Sequence, residues 1–339
     1  MSDAGDYSAD YNNTHRAFLQ ALLARQTITY PDAKPILAAI QSAQAPNRPT
    51  LPEDISQEDF ENCVHTLNTS ISPFDLEIRS TLHQKSKDRV YALVNTTSDA
   101  LTQMATSHSV DEIAFVKRVL DAMFETYNTQ RAEVMAVTGM QALKLAKPSG
   151  EERGRETAGT QTQTAAANAG LTMTQAEKVL GLMVEEGWFE LSQKGFYSLS
   201  PRALMELRSW LIDTYDDQPH PENSDEEEEE EEEHVKIKFC QACREIVTIG
   251  QRCPDLTCNA RVHNHCVRNL FRAQGGREEC SVCKTAWQDP APVGEKAAKH
   301  GGGGGRRITG GSSNDGGRRR TTNGAATEES DAESGAEEE

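Results

Sequence analysis

Seven of the eight cysteines in this 339-residue chain fall within 44 residues, Cys240 to Cys283, and with His263 they form four ordered pairs. The pairs are Cys240 and Cys243, Cys253 and Cys258, His263 and Cys266, and Cys280 and Cys283, separated by nine, four and thirteen residues. A gap of two residues lets one tight knuckle deliver two ligands to one tetrahedral ion, and thiolate and imidazole are donors that zinc takes. Eight ligands suffice for two closed sites with no open position for water, so the chemistry expected is structural, without a catalytic residue. In a cross-brace the first and third pairs share one ion, and the second and fourth share the other. That assigns Cys240, Cys243, His263 and Cys266 to a first site and Cys253, Cys258, Cys280 and Cys283 to a second. Interleaving would tie together a segment of roughly fifty residues whose apolar content is too small to hold it. His265 competes with His263 for the fifth ligand position; His263 keeps the two-residue gap, so His265 is expected to face solvent.

The same ligand order also serves histone-reading PHD fingers. These usually carry an aromatic residue, commonly Trp, two positions before the seventh ligand, where this chain has Glu278. Trp287 instead lies four residues after the last ligand. The first loop, Arg244 to Arg252, is apolar in its middle (Ile246, Val247, Ile249) and lacks the aromatic cage a methyl-lysine reader needs. A RING-like module is therefore expected, with a PHD-like histone reader as an alternative.

The elements upstream follow one order twice. Phe18, Leu19, Leu22 and Leu23 mark a first helix, and Ile36, Leu37 and Ile40 a second, short one starting at or after Pro31. Ser56 caps a third helix bearing Phe60, Val64 and Leu67. Strands then follow over Phe74–Leu82 and Val90–Val94 around the polar turn Gln84–Asp88. Three helices and a hairpin make a winged helix. The order returns with an amphipathic helix through Ile113, Val116, Leu120, Met123, Phe124 and Tyr127. A second helix is expected over Glu133–Lys147, and a third opens at a Thr172/Gln175 capping box. Trp188–Leu191 and Phe196–Leu199 flank the turn of a second wing, and Pro201 starts a last helix through Leu211 and Tyr215. The fold class expected is mainly α with small β-hairpins, as tandem winged-helix domains followed by a cross-braced two-zinc RING-like module. The divisions expected are a disordered N-terminus over 1–11, winged helices over 12–105 and 106–216, an acidic linker over 217–234, the zinc module over 235–290 and a disordered tail over 291–339. Residues 148–169, rich in Gly, Thr, Gln and Glu, form a disordered insertion in the second winged helix.

Charge narrows the function classes less than its size suggests. The formal net charge is −18, but Asp225–Glu233 carry nine negative charges and the tail seven more, which leaves about −2 for the remainder. No stretch approaches the roughly 18 apolar residues of a membrane span, and Met1–Asp10 has no signal-peptide pattern. Clustered cysteines without a secretory signal point to an intracellular metal-binding protein. The third helix of the second winged helix sets Glu177, Glu185 and Glu186 against Lys178, which disfavours phosphate and suits a protein partner. Arg79, Lys85, Lys87 and Arg89 around the first hairpin leave a weak direct DNA contact open. Arg306, Arg307 and Arg318–Arg320 in the tail suit a nuclear import signal or a loose nucleic-acid contact. Cys63 is expected as a buried core thiol.

Ile249-Gly250-Gln251 before Cys253, Asn259-Ala260-Arg261-Val262-His263 leading into the third pair, and Trp287 after the last resemble the C-terminal module of the non-structural element one family. That family belongs to the structural-maintenance-of-chromosomes complex of DNA repair and recombination, and its tandem winged helices match those read here, so that the resemblance covers about residues 12 to 290. The resemblance implies a nuclear RING-type E3 ubiquitin transferase subunit with two Zn2+, docked on a MAGE-family partner in a complex with its kleisin. Such a ligase forms no covalent intermediate and works by orienting a ubiquitin-charged conjugating enzyme. Carried over by position, the contacts with that enzyme would be Ile246, Val247, Val282, Lys284 and Trp287. Ala242, between the first two ligands, is smaller than the residue active RING domains often place there, so activity is expected to be weak without the partner. The alternative within this resemblance is a purely architectural subunit that clamps the partner.

Overall fold

The computed structural model describes residues 11–97, 107–148, 170–215 and 234–301. In its first unit, side-chain caps set the helix starts. Asn12 caps α1 (Asn13–Arg25), Thr29 caps α2 (Tyr30–Gln44) and Ser56 caps α3 (Gln57–Ile71), each accepting from an otherwise unpartnered backbone N–H of the first turn. Between and after them run β1 (Thr27–Thr29), β2 (Leu76–Leu82) and β3 (Arg89–Asn95), antiparallel in the order β1-β3-β2. Phe18, Leu22, Leu37, Phe60, Leu67 and Ile78 fill the core beneath this sheet, and Cys63 lies buried with them. The result is a winged helix whose wing is the turn between β2 and β3. β1 has no counterpart in the sequence reading, because three residues carry too little periodicity to announce a strand.

The second unit repeats the topology. α4 (Val110–Asp121) extends into a single π turn over Ala122–Thr126. β4 (Val137–Thr138), α5 (Gly139–Lys144), α6 (Met173–Glu185), β5 (Phe189–Leu191) and β6 (Phe196–Leu199) follow, with sheet order β4-β6-β5. The helix expected over Glu133–Lys147 is corrected here. Its first part is irregular, with Met135 in the left-handed region (φ 42°), Val134, Met135, Ala136 and Val137 all buried, and Val137–Thr138 paired to β6. Helix begins only where Thr138 and Gln141 close a capping box. The last helix is broken at Leu207 into α7 (Pro201–Glu206) and α8 (Arg208–Tyr215).

The zinc-module segment has β7 (Gly250–Arg252), β8 (Arg261–Val262), α9 (Val267–Ala273) and β9 (Pro292–Val293), with sheet order β8-β7-β9. The expected start of the tail at 291 is also corrected. Val293 pairs with Gly250 and Pro292 with Gln251, and Ala297 packs against Val134 and Ala136 of the second winged helix. Gly294 makes this turn possible: its φ is +94°, and a Cβ there would sit 2.7 Å from the Thr248 carbonyl oxygen. The hydrophobic core of the second winged helix runs without a break into that of the zinc module, from Phe115 and Leu180 to Val247 and Trp287. The expected N-terminal segment up to Asp10, the 149–169 part of the insertion, the acidic linker up to Glu233 and the tail from 302 lie outside the described residues.

Candidate metal centre

Two of the cysteine pairs are built alike. Cys240 N–H donates to the Glu245 carbonyl (2.8 Å) and Arg244 N–H to the Cys240 carbonyl (2.9 Å). In the last pair, Cys280 N–H donates to the Thr285 carbonyl (2.8 Å) and Lys284 N–H to the Cys280 carbonyl (3.1 Å). Both turns need a residue in the left-handed region after the second cysteine, and Arg244 (φ 63°) and Lys284 (φ 62°) occupy it. These knuckles aim two sulfurs each at one point. The structure gathers Cys240, Cys243, His263 and Cys266 into one cluster and Cys253, Cys258, Cys280 and Cys283 into another, with the ligand atoms of each within 4.8 Å of one another. The two clusters offer four ligands each and can hold two zinc ions.

The ligands are oriented by the groups behind them. His263 Nε2 lies 3.2 Å from the Ile246 carbonyl oxygen, which can only accept, so Nε2 carries the proton. Nδ1, 3.2 Å from Cys243 Sγ, is then left for the metal. The Thr285 hydroxyl, 3.2 Å from Cys283 Sγ, supports the last ligand from behind. His265 is not the solvent-facing residue expected: it is half-buried, its ring stacked on His263 with centroids 5.1 Å apart.

A buried ionic cluster joins this centre to the second winged helix. Glu133 receives two hydrogen bonds from Arg261 (Nε 2.6 Å, Nη2 2.5 Å) and one from Lys238 Nζ (2.7 Å). Arg261 Nη1 also donates to the Cys258 carbonyl at 2.7 Å, so the Glu133 carboxylate is one step from a metal ligand. Arg252 adds a third cation and donates to the Gln130 and Leu256 carbonyls. Burial alone would push the Glu133 carboxyl up; Arg261 and Lys238 outweigh it and hold it at about 2. From the first winged helix, Gln84 at the wing tip donates to the Ile246 carbonyl (2.9 Å) and accepts from Thr248 N–H (3.0 Å) and Ile249 N–H (2.7 Å). Both winged helices therefore grip the module.

A family profile described as Nse1, non-SMC component of the SMC5-6 complex, matches residues 15–207, and a RING-like domain profile matches residues 240–283. This chain belongs to the Nse1 family. The non-structural maintenance of chromosomes element 1 homolog of Homo sapiens is 21% identical to it over 280 residues, covering 83% of this chain and 86% of that protein. The Schizosaccharomyces pombe element 1 is 22% identical over 234 residues, covering 69% and 79% respectively. Among solved structures, a chain of an Nse1-Nse3-Nse4 complex superposes with a TM-score of 0.58 at 19% identity, over 82% of this chain and 97% of that one. That similarity establishes the shared fold.

Within this Nse1-family fold, the residues expected to touch a conjugating enzyme separate into two groups. Ile246 (3% exposed), Val247 (1%) and Trp287 (6%) are buried and so do not offer a contact surface. The first wing bonds to the Ile246 carbonyl, Val247 lies in the core shared with the second winged helix, and Trp287 packs edge-on against Phe271 and donates from Nε1 to Gln251 Oε1 at 3.0 Å. Val282 is 59% exposed and Lys284 is exposed, both on the last knuckle. Ala242 is exposed at the tip of the first. Around the first hairpin, Arg79 pairs with Glu77 (2.8 Å) and Arg89 donates to the Ser80 hydroxyl (3.1 Å), while Lys85 and Lys87 are exposed. Sequence reasoning missed Gln84, which carries no signal in a polar turn. It also missed Glu133, whose acidic side chain at the head of a buried apolar run was the available clue.

Proposed function

We propose that this chain is the RING-like E3 ubiquitin ligase subunit of a nuclear SMC5-6-type complex acting in DNA repair. Its partners would be a MAGE-family subunit and the kleisin; a solved relative in complex with Nse3 and Nse4 supports an assembly of that kind. The residues Cys240, Cys243, His263 and Cys266, and Cys253, Cys258, Cys280 and Cys283, would each hold a zinc ion. Bound zinc would supply rigidity, and the chain would contribute by positioning: it holds a charged conjugating enzyme so that its thioester is open to attack. The observation that carries this reading is the last knuckle, where Val282 and Lys284 stand exposed on a surface fixed by a metal cluster. An apolar side chain beside a cation suits docking of an enzyme that presents an apolar patch next to an acidic group.

The architectural reading has its own support. Ile246 and Val247, on the loop after the first pair, are buried, and the first wing bonds to the Ile246 carbonyl, which disfavours that loop as an enzyme contact. The two readings separate in a discharge assay. The full chain is co-expressed with the MAGE-family partner, its zinc content is confirmed, and release of ubiquitin from charged conjugating enzymes is followed. Partner-dependent release that falls about tenfold in Val282→Asp, the effect of losing about 1.4 kcal/mol of docking energy, supports the ligase. Absence of release across a broad panel of conjugating enzymes, from a zinc-loaded complex, would leave the module as architecture.

A further inference from the structure

We propose that Gln84, at the tip of the first wing, is a positioning residue for the first zinc site. Gln84 is far from every ligand in sequence, yet its side-chain amide bridges the turn that follows the first cysteine pair. Its Nε2 donates to the Ile246 carbonyl, and its Oε1 accepts from the backbone N–H groups of Thr248 and Ile249. The Ile246 carbonyl is also the acceptor for His263 Nε2. A carbonyl oxygen has two lone pairs, and here one serves the wing and the other the zinc-ligating imidazole. Through that shared oxygen, the position of the wing sets the orientation of His263 and the tautomer that leaves Nδ1 to the metal.

The wing is itself held in place. Lys85 and Ser86 N–H groups donate to His83 Nδ1 (3.1 and 3.2 Å), so the proton is on Nε2, which donates to Glu190 Oε1 of β5 at 2.9 Å. Hydrogen bonds from the second winged helix thus fix the wing turn at His83, and the backbone carries that anchor to the next residue, Gln84. From Gln84, hydrogen bonds lead through the Ile246 carbonyl to His263. The second site is supported differently, by Arg261, which is tied to Glu133 of the second winged helix, and by Thr285. The two zinc sites should therefore respond differently to the same change in the wing.

The test uses the full chain loaded with cadmium in place of zinc. The cadmium resonance distinguishes a site of three thiolates and one imidazole from a site of four thiolates, so each metal is followed separately against a competing chelator. Gln84→Ala should weaken the first site by up to about 10-fold, the low end of the range for loss of a ligand's direct partner because Gln84 acts through the Ile246 carbonyl, and leave the second site unchanged. Gln84→Glu should weaken the first site as well, because a carboxylate still accepts from Thr248 and Ile249 but cannot donate to Ile246. Lys85→Ala, an exposed neighbour, should behave as wild type. Equal loosening of both sites in Gln84→Ala, or an unchanged first site, would overturn the proposal. So would a Gln84→Glu chain that holds both metals like wild type.

Discussion

Three cations, Lys238, Arg252 and Arg261, converge on the carboxylate of Glu133, and all four side chains are at most 4% exposed. Positive charge is in excess there, and Lys238 bears the consequence. Burial, opposed by the attraction of Glu133 and reinforced by repulsion from Arg261, brings its ammonium from 10.5 down to about 8. Between those two values the unfolded chain keeps a proton that the folded chain has released, so stability rises with pH across that window. Wild type should therefore gain on Lys238→Met by up to about 3 kcal/mol as pH is raised from 8 to 10.5, read from paired urea unfolding curves. A gap that stays constant or narrows over that range would refute the account of this cluster. None of it was legible in the sequence, since a Glu at 133 meets a Lys at 238 only after two domains have docked. The eight ligands were legible because zinc geometry imposes local spacing. The burial of Ile246, Val247 and Trp287 was not, since exposure depends on what covers a loop.

At the scale of elements, local chemistry set what could be read. Ser56 and the Thr172/Gln175 pair announced their helices, and both caps are formed. The strands β1, β4 and β9 span two or three residues each and exist by pairing with distant partners, so no local pattern reveals them. The short sheet of the zinc module has a specific steric requirement. A Cβ on Gly250 would run into the Val262 carbonyl oxygen of the neighbouring strand and lie 2.9 Å from Val247 Cγ1. Gly250→Ala should therefore push β7 away from β8 and cost about 1–3 kcal/mol, an overpacking penalty. Urea unfolding of the zinc-loaded chain measures it; an unchanged midpoint would mean that the sheet yields without strain. In sequence Gly250 entered by resemblance, and the strand pairing supplies its physical reason.

At the scale of the molecule, the winged helices and the zinc module form an interlocked body rather than a string of independent modules. Gln84, Asn128 and Gln130 reach the module from two different winged helices, through side-chain or backbone contacts with Ile246, Lys236 and Arg252. The order of the units was readable from repeated helix and strand patterns. Their docking was not, because it rests on single polar residues in turns. The two ligand clusters of the zinc module would act as fixed points for both grips, and the account stands on there being two of them. Native mass spectrometry of the full chain counts them directly. Two zinc ions per chain are predicted, falling to one in Cys258→Ala because that ligand belongs to the second cluster alone. A wild-type chain that carries one zinc ion or none, or a Cys258→Ala chain that still holds two as firmly as wild type, would contradict the account.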